Sequence, residues 1–356
     1  MSKYPFKNLV FKGGGIKAFA YIGVLEVFEE QNILPHIERV AGNSAGSIMS
    51  TLLSFHLGAK ETANLFNTLD YGKIASLVPK EEGPQEGIRP PKALWETGHK
   101  LVGGTEAIYR LGTKFGLFSS EHIQDWLEET IASQCHGNGR ASFADFRAHG
   151  FRDLYVVATN ISTHATTLFS ASTTPDVVVA DAVAASSSIP FFFEPQQFDG
   201  TSFGQGDYYV DGGVLTNYPI HVFDDPIFKQ GNHNYIDGVN WETLGLRLFT
   251  PDDCEDEPVP ITNLGGYIRN LVETLSMTED VTFKHSIVDQ LRTINISNCC
   301  VDTTDFSVKP GGDNPKYQEL LEAGRTATRE FLDSYESPID KFTSFRKRFG
   351  NFFRCG

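Results

Sequence analysis

The chain has 356 residues, 40% of them hydrophobic and 21% charged, which excludes a disordered, collagen-like or fibrous protein and allows one large α/β domain or two smaller ones. Lys and Arg number 30 against 45 Asp and Glu, a formal charge of −15 at pH 7, so the overall field repels nucleic acid and anionic membrane, and contact with either must be local. The five cysteines, Cys135, Cys254, Cys299, Cys300 and Cys355, are odd in number and form no C-x-x-C pair; they indicate neither a zinc module nor a disulfide framework, which makes a reducing compartment the default.

Asn8 to Lys12 is a short apolar run that stops at Gly13-Gly14-Gly15, after which Ala18, Ile22, Leu25 and Phe28 recur at helical spacing. That pattern predicts a strand, a glycine loop and a helix. Glu38 to Gly42 repeats the arrangement, meeting Asn43-Ser44-Ala45-Gly46 and then Ile48, Met49, Leu52, Leu53 and Phe55 on one helix. Strands alternating with helices predict a parallel α/β sheet. From Pro79 to Lys92, Pro, Gly and charge crowd together, so the stretch 79–114 reads as a lid or insertion. Ser119 or Ser120 can cap a helix through Ile123, Trp126, Leu127 and Ile131, while Asp153 to Thr159 and Thr166 to Ser170 read as strands. Pro175 opens an amphipathic segment from Asp176 to Ser186. Tyr208 to Val210 and Leu244 to Phe249 supply further strands, and the periodic stretches after Pro260 and after Asn314 predict long C-terminal helices. The N-terminus has no apolar run of signal-peptide length before Gly13, and nothing reaches the roughly 20 apolar residues of a membrane span. The expectation is a cytoplasmic protein, at most peripheral at membranes.

Three features could carry chemistry. Gly42-Asn43-Ser44-Ala45-Gly46 fits G-x-S-x-G, in which two glycines let a strand turn sharply into a helix and leave a serine exposed on the bend. An α/β-hydrolase would place more strands before that serine and follow it with Asp and then His; of the histidines beyond Asp211, His221, His233 and His285, none lies in a pattern that marks a base. Gly13-Gly14-Gly15, without Cβ atoms, can turn backbone N–H groups toward one point and bind an anion, whether a phosphate or the oxyanion of acyl transfer. In the second case, losing one donor typically costs about 3 to 4 kcal/mol of barrier. Gly13 to Ala18 also satisfies G-x-G-x-x-A, which keeps a nucleotide-binding module open, although Gly42-Asn43-Ser44 stands where that motif expects an acidic residue. A catalytically silent interaction protein is the third reading. Asp211-Gly212-Gly213, after Tyr208 to Val210, is by itself a turn.

Taken in order, the glycine loop, the G-x-S-x-G close behind it and the distant Asp-Gly-Gly resemble the patatin-like phospholipases, and so do Asp153 to Asn160, Ala185 to Pro195 and Val210 to Pro219. The resemblance covers roughly Phe6 to Pro219. It implies a three-layer α/β/α sandwich with a mostly parallel central sheet, a catalytic core over 6–219 and a C-terminal extension over 220–356 that completes the fold. It also implies a lipid acyl hydrolase of phospholipase A or lysophospholipase type with a Ser-Asp dyad, in which Ser44 is the nucleophile and Asp211 the base. By the same resemblance the loop of Gly13, Gly14, Gly15 and Lys17 is the oxyanion hole, and Gly42, Gly46, Gly212 and Gly213 shape the elbow and the dyad turn. No cofactor and no metal are implied. The implied substrate is a phospholipid or another lipid ester, and because the family ranges from storage-tissue hydrolases to bacterial toxins and defence effectors, delivery as an effector without a signal peptide stays open. The loop departs from the family pattern at Ala18, where a glycine usually follows the basic residue. Lys341, Arg346, Lys347, Arg348 and Arg354 interleave with five phenylalanines from Phe342 to Phe353, a basic aromatic tail suited either to a membrane surface or to packing on the core.

Overall fold

The computed structural model describes residues 3–70, 105–252, 282–303 and 307–337, with isolated residues between them. The Pro79 to Lys92 loop, most of the helix expected after Pro260 and the basic aromatic tail lie outside the described residues.

Strand β1 (Asn8–Phe11) is buried throughout, and the glycines after it lead through a 3-10 turn (Gly15–Phe19) into α1 (Ala20–Glu30). Strand β2 (Arg39–Asn43) runs directly into α2 (Ala45–Ser54), followed by α3 (Ala59–Phe66). Next come α4 (Thr105–Thr113), β3 (Gly116–Phe118), α5 (Glu121–Gln134) and α6 (Phe143–Ala148). Strands β4 (Asp153–Asn160) and β5 (Ala165–Ser170) form an antiparallel pair, and α7 (Val179–Ser186) leads to β6 (Phe191–Phe193), β7 (Gln196–Phe198) and β8 (Asp207–Asp211). The small hairpin β9 (Tyr235–Ile236) and β10 (Val239–Asn240) precedes β11 (Thr243–Phe249), α8 (Ile287–Leu291), β12 (Thr293–Ser297) and α9 (Pro315–Ser334).

The main sheet has the order β12-β11-β1-β2-β4-β8-β7, with β5 also paired to β4. Its four pairings from β12 to β4 are parallel and those of β5, β7 and β8 antiparallel, so the protein is an α/β sandwich on a mostly parallel sheet. One sheet face carries the large core. Leu9, Phe11, Val40 and Val156 share one buried cluster there with residues of α1, α2 and α9, built largely of β-branched, leucine and phenylalanine side chains. Alternate residues Val10, Ala41 and Tyr155 point the other way and pack with Tyr218, Ile220, Phe223 and Phe283, a thinner third layer.

The segment from Asp176 is helical only from Val179. Phe143 and Ala144 donate their N–H groups to the Val177 and Pro175 carbonyls and Val178 forms a β-bridge with Ser142, which holds the residues before Val179 in a turn beside the start of α6. The cysteine reading also needs correction: Cys254 and Cys300 are joined in a disulfide. Their spacing of 46 residues carries no motif, and only the neighbouring ends of β11 and β12 bring their Cα atoms to 5.5 Å. The cysteine count therefore gives no argument for a reducing compartment. Among the described residues, no helix is long and apolar enough to cross a membrane.

Candidate active site

Strand register explains how residues 44 and 211 meet. Strand β5 occupies one edge of β4 from Tyr155 to Asn160, which leaves the other edge to β2 and β8. Strand β2 runs along it as far as Val157, opposite Asn43, and β8 takes over at Ala158, opposite Asp211. The ends of β2 and β8 thus occupy consecutive positions on one edge. Ser44, the next residue after Asn43, turns off the sheet there.

The turn is sharp. Ser44 has φ +52° and ψ −130°, a conformation that costs a non-glycine residue on the order of 1–3 kcal/mol. Gly42 and Gly46 permit it, because a Cβ on Gly42 would stand 2.2 Å from the Gly46 carbonyl oxygen and one on Gly46 would stand 2.5 Å from that of Phe11. The strained residue is held on both sides. Its N–H donates to Ser186 Oγ at 3.0 Å, its carbonyl accepts from Ser47 N–H at 2.8 Å, and α2 begins directly after it. At the far end of α2, the buried Arg152 guanidinium donates to the Leu53, Ile37 and Leu34 carbonyls, tying the helix to the loop before β2.

Asp211 is buried beside this elbow. Its Oδ1 accepts from Gly213 N–H at 2.7 Å and Asn43 Nδ2 at 3.2 Å, and the Ser44 side chain lies against the same carboxylate. Burial pushes its pKa up to about 6, with the Ser44, Gly213 and Asn43 contacts offsetting only part of that rise. A carboxylate of this kind can accept a proton near neutrality, which an ordinary surface aspartate does poorly. Gly212 completes the turn, where a Cβ would strike Asn43 Oδ1 at 2.3 Å. Asn43 also donates to Asn217 Oδ1 at 3.1 Å, so one side chain fastens the elbow to both ends of the Asp211–Asn217 segment.

The glycine loop packs over the elbow; a Cβ on Gly13 would stand 3.2 Å from the Ser44 Cβ. Its N–H groups are not equivalent. Gly13 donates to the Asn217 carbonyl at 3.0 Å, Ile16 to that of Thr303 at 3.2 Å and Lys17 to that of Gly14 at 3.2 Å. Gly14 and Gly15 keep theirs without a partner among the described residues. Gly15 is left-handed at φ +54°, with the Thr303 carbonyl 2.1 Å from where a Cβ would sit, so only glycine fits. Lys17 is buried, and Ala18 fills the main core without exposure. Of the four loop residues expected to supply donors, Gly13 and Lys17 thus have their N–H groups engaged within the fold.

An open cleft begins at Ser44 and Gly15 and runs between Ile48, Phe66, Leu69, Ile123, Ile189 and Phe193. Its walls are almost wholly apolar, as an acyl chain requires. The candidate histidines are elsewhere: His221 lies between Asp224 at 3.0 Å and Asp289 at 3.3 Å, and His233 and His285 are exposed. Asn43, Ser186 and Asn217 are the supporting residues that motif reading passed over, although all three stand inside or beside the segments that carry the resemblance.

The patatin-like phospholipase model matches residues 9–224, more than half of the chain. The chain belongs to the patatin-like phospholipase family. It is therefore a lipid ester hydrolase. The uncharacterized protein YqhO of Bacillus subtilis is 31% identical over 336 residues, covering 92% of this chain and 98% of that one. A probable lipid hydrolase, 463L, of Invertebrate iridescent virus 6 is 26% identical over 245 residues, 69% of this chain and 71% of its own. The crystal structure of VipD from Legionella pneumophila has the same fold, with a TM-score of 0.54 at 19% identity over 94% of this chain and 68% of that chain.

Proposed function

We propose that this chain is a phospholipase A or lysophospholipase that works through a Ser-Asp dyad and an acyl-serine intermediate. The observation that carries the reading is the juxtaposition of a strained, buried serine with a buried carboxylate that meets no cation among the described residues, at the head of an apolar cleft. The acyl chain lies along Ile48, Phe66 and Ile123, and the ester carbonyl oxygen faces the Gly14 and Gly15 N–H groups. Ser44 Oγ attacks the carbonyl carbon while its proton passes to Asp211, and the charge that develops on the carbonyl oxygen is held by the two amides. Collapse breaks the bond to the alcohol oxygen, which takes the proton from Asp211. Water then enters, gives its proton to Asp211 and releases the fatty acid, and the proton returns to Ser44. The Gly13 to Ala18 loop serves this chemistry rather than a dinucleotide, since its glycines are packed on the elbow and on Thr303.

Purified protein incubated with phosphatidylcholine and lysophosphatidylcholine vesicles should release fatty acid, and a fluorophosphonate probe should label Ser44. Release that persists in Ser44→Ala would overturn the mechanism.

A further inference from the structure

The triplet Ser186-Ser187-Ser188 at the end of α7 runs alongside both members of the dyad. Ser186 Oγ receives the Ser44 N–H at 3.0 Å and itself donates to the Val157 carbonyl at 2.6 Å, and the Ser188 carbonyl receives the Asp211 N–H at 2.8 Å. Ser188 Oγ is spent on the Ala184 carbonyl at 2.8 Å. Ser187, between them, differs. It is only 5% exposed, it lines the cleft together with Ser44, and its hydroxyl has no hydrogen-bond partner among the described residues. Among the residues lining the cleft, Ser44 and Ser187 alone bring a polar side chain.

A buried hydroxyl without a partner is unfavourable to the fold, and such groups are uncommon unless a ligand or an ordered water completes them. A bound ester offers two acceptors at the reacting carbon. The carbonyl oxygen is accounted for by Gly14 and Gly15, which leaves the alcohol oxygen. We propose that the Ser187 hydroxyl donates a hydrogen bond to the ester's alcohol oxygen, which makes it a substrate-contacting residue that favours oxyesters. The attacking water of the second half-reaction enters where that oxygen leaves, so the same hydroxyl holds the water. Ser187 keeps its own proton throughout; the transferred proton moves between Ser44, Asp211 and the leaving or entering oxygen.

This inference rests on the acyl-serine reading, and the experiment separates the two. Wild type, Ser187→Ala and Ser44→Ala are assayed on a phospholipid oxyester and on its thioester analogue, whose sulfur is a weak acceptor. Ser187→Ala should lower kcat/KM on the oxyester roughly fivefold to tenfold and on the thioester less than about twofold. Its unfolding midpoint should stay at or above that of wild type, because the substitution removes an unsatisfied buried group. An equal loss on both substrates, no loss on either, or a midpoint several degrees lower would each overturn the assignment. Should Ser44→Ala remain active, the acyl-serine reading fails; should Ser44→Ala be dead while Ser187→Ala matches wild type, only the role of Ser187 fails.

Discussion

Two regions of the molecule bury aspartates and treat them in opposite ways. Asp211 faces a serine hydroxyl, an asparagine amide and one backbone N–H, with no cation in contact among the described residues, and burial raises its pKa to about 6. Asp224 and Asp289 are also partly buried, but the Arg292 guanidinium reaches them at 2.6 and 2.9 Å and His221 lies between them. Burial alone would push both carboxyls up; hydrogen bonds from His221 and Arg292, with Ser286 added at Asp289, outweigh it and hold both below the ordinary value. Those same bonds from Asp224 and Asp289 raise His221 to about 9. Burial therefore does not by itself create a base. What sets Asp211 apart is the denial of a counter-charge.

The two regions also bear on stability with opposite sign. Asp211 is raised above its unfolded value, so its contribution is most favourable below about pH 4 and is lost as pH rises through about 6; at neutral pH its ionisation costs on the order of 3 kcal/mol. The Asp224 and Asp289 carboxyls, lowered on folding, support the fold above their unfolded pKa and cease to do so in acid. His221, raised on folding, supports it fully below about pH 6.5 and loses that support as pH passes about 9.

Substitutions sharpen or break this contrast. Ser44→Ala should reduce kcat by roughly 10⁴- to 10⁶-fold with the protein still folded, read by fatty-acid release and circular dichroism. Asp211→Asn should lower activity about 10⁴-fold yet raise the unfolding midpoint at pH 8, because it removes a buried charge. A midpoint below that of wild type would mean that Asp211 is structural, like Asp224. In the wild type, kcat/KM should fall about tenfold per pH unit below about pH 6, as Asp211 becomes protonated. Arg292→Met should leave the ester chemistry intact in the folded fraction but destabilise by about 3–5 kcal/mol, since two carboxylates lose their buried partner; denaturant unfolding measures it. His221→Ala should cost less than about 1 kcal/mol at pH 6, because the ring is two-thirds exposed and screened by solvent, and nothing at pH 10.

Much was legible before any coordinates. The apolar runs before Gly13 and before Asn43 marked β1 and β2, whose burial on both faces leaves an uninterrupted hydrophobic signal, and the glycines after them marked turns that no other residue tolerates. The start of α7 was misplaced by three residues because tertiary hydrogen bonds to Pro175 and Val177 override the local preference for a helix. The Cys254–Cys300 pair was invisible because it depends on two parallel strands ending side by side.

Sequence by itself determined the residue types and local turns: a serine on a glycine elbow, a glycine loop, an Asp-Gly-Gly, and the order in which they occur, because turn chemistry and hydrophobic period are local properties of the chain. Only the tertiary structure decided that Asn43 and Asp211 take consecutive places on one edge of β4, that Gly13 spends its N–H on Asn217 while Gly14 and Gly15 do not, and that among the described residues Asp211 meets no cation whereas Asp224 meets two. Those facts depend on strand register and on exclusion of water where separate segments of the chain pack together, and no local pattern encodes either.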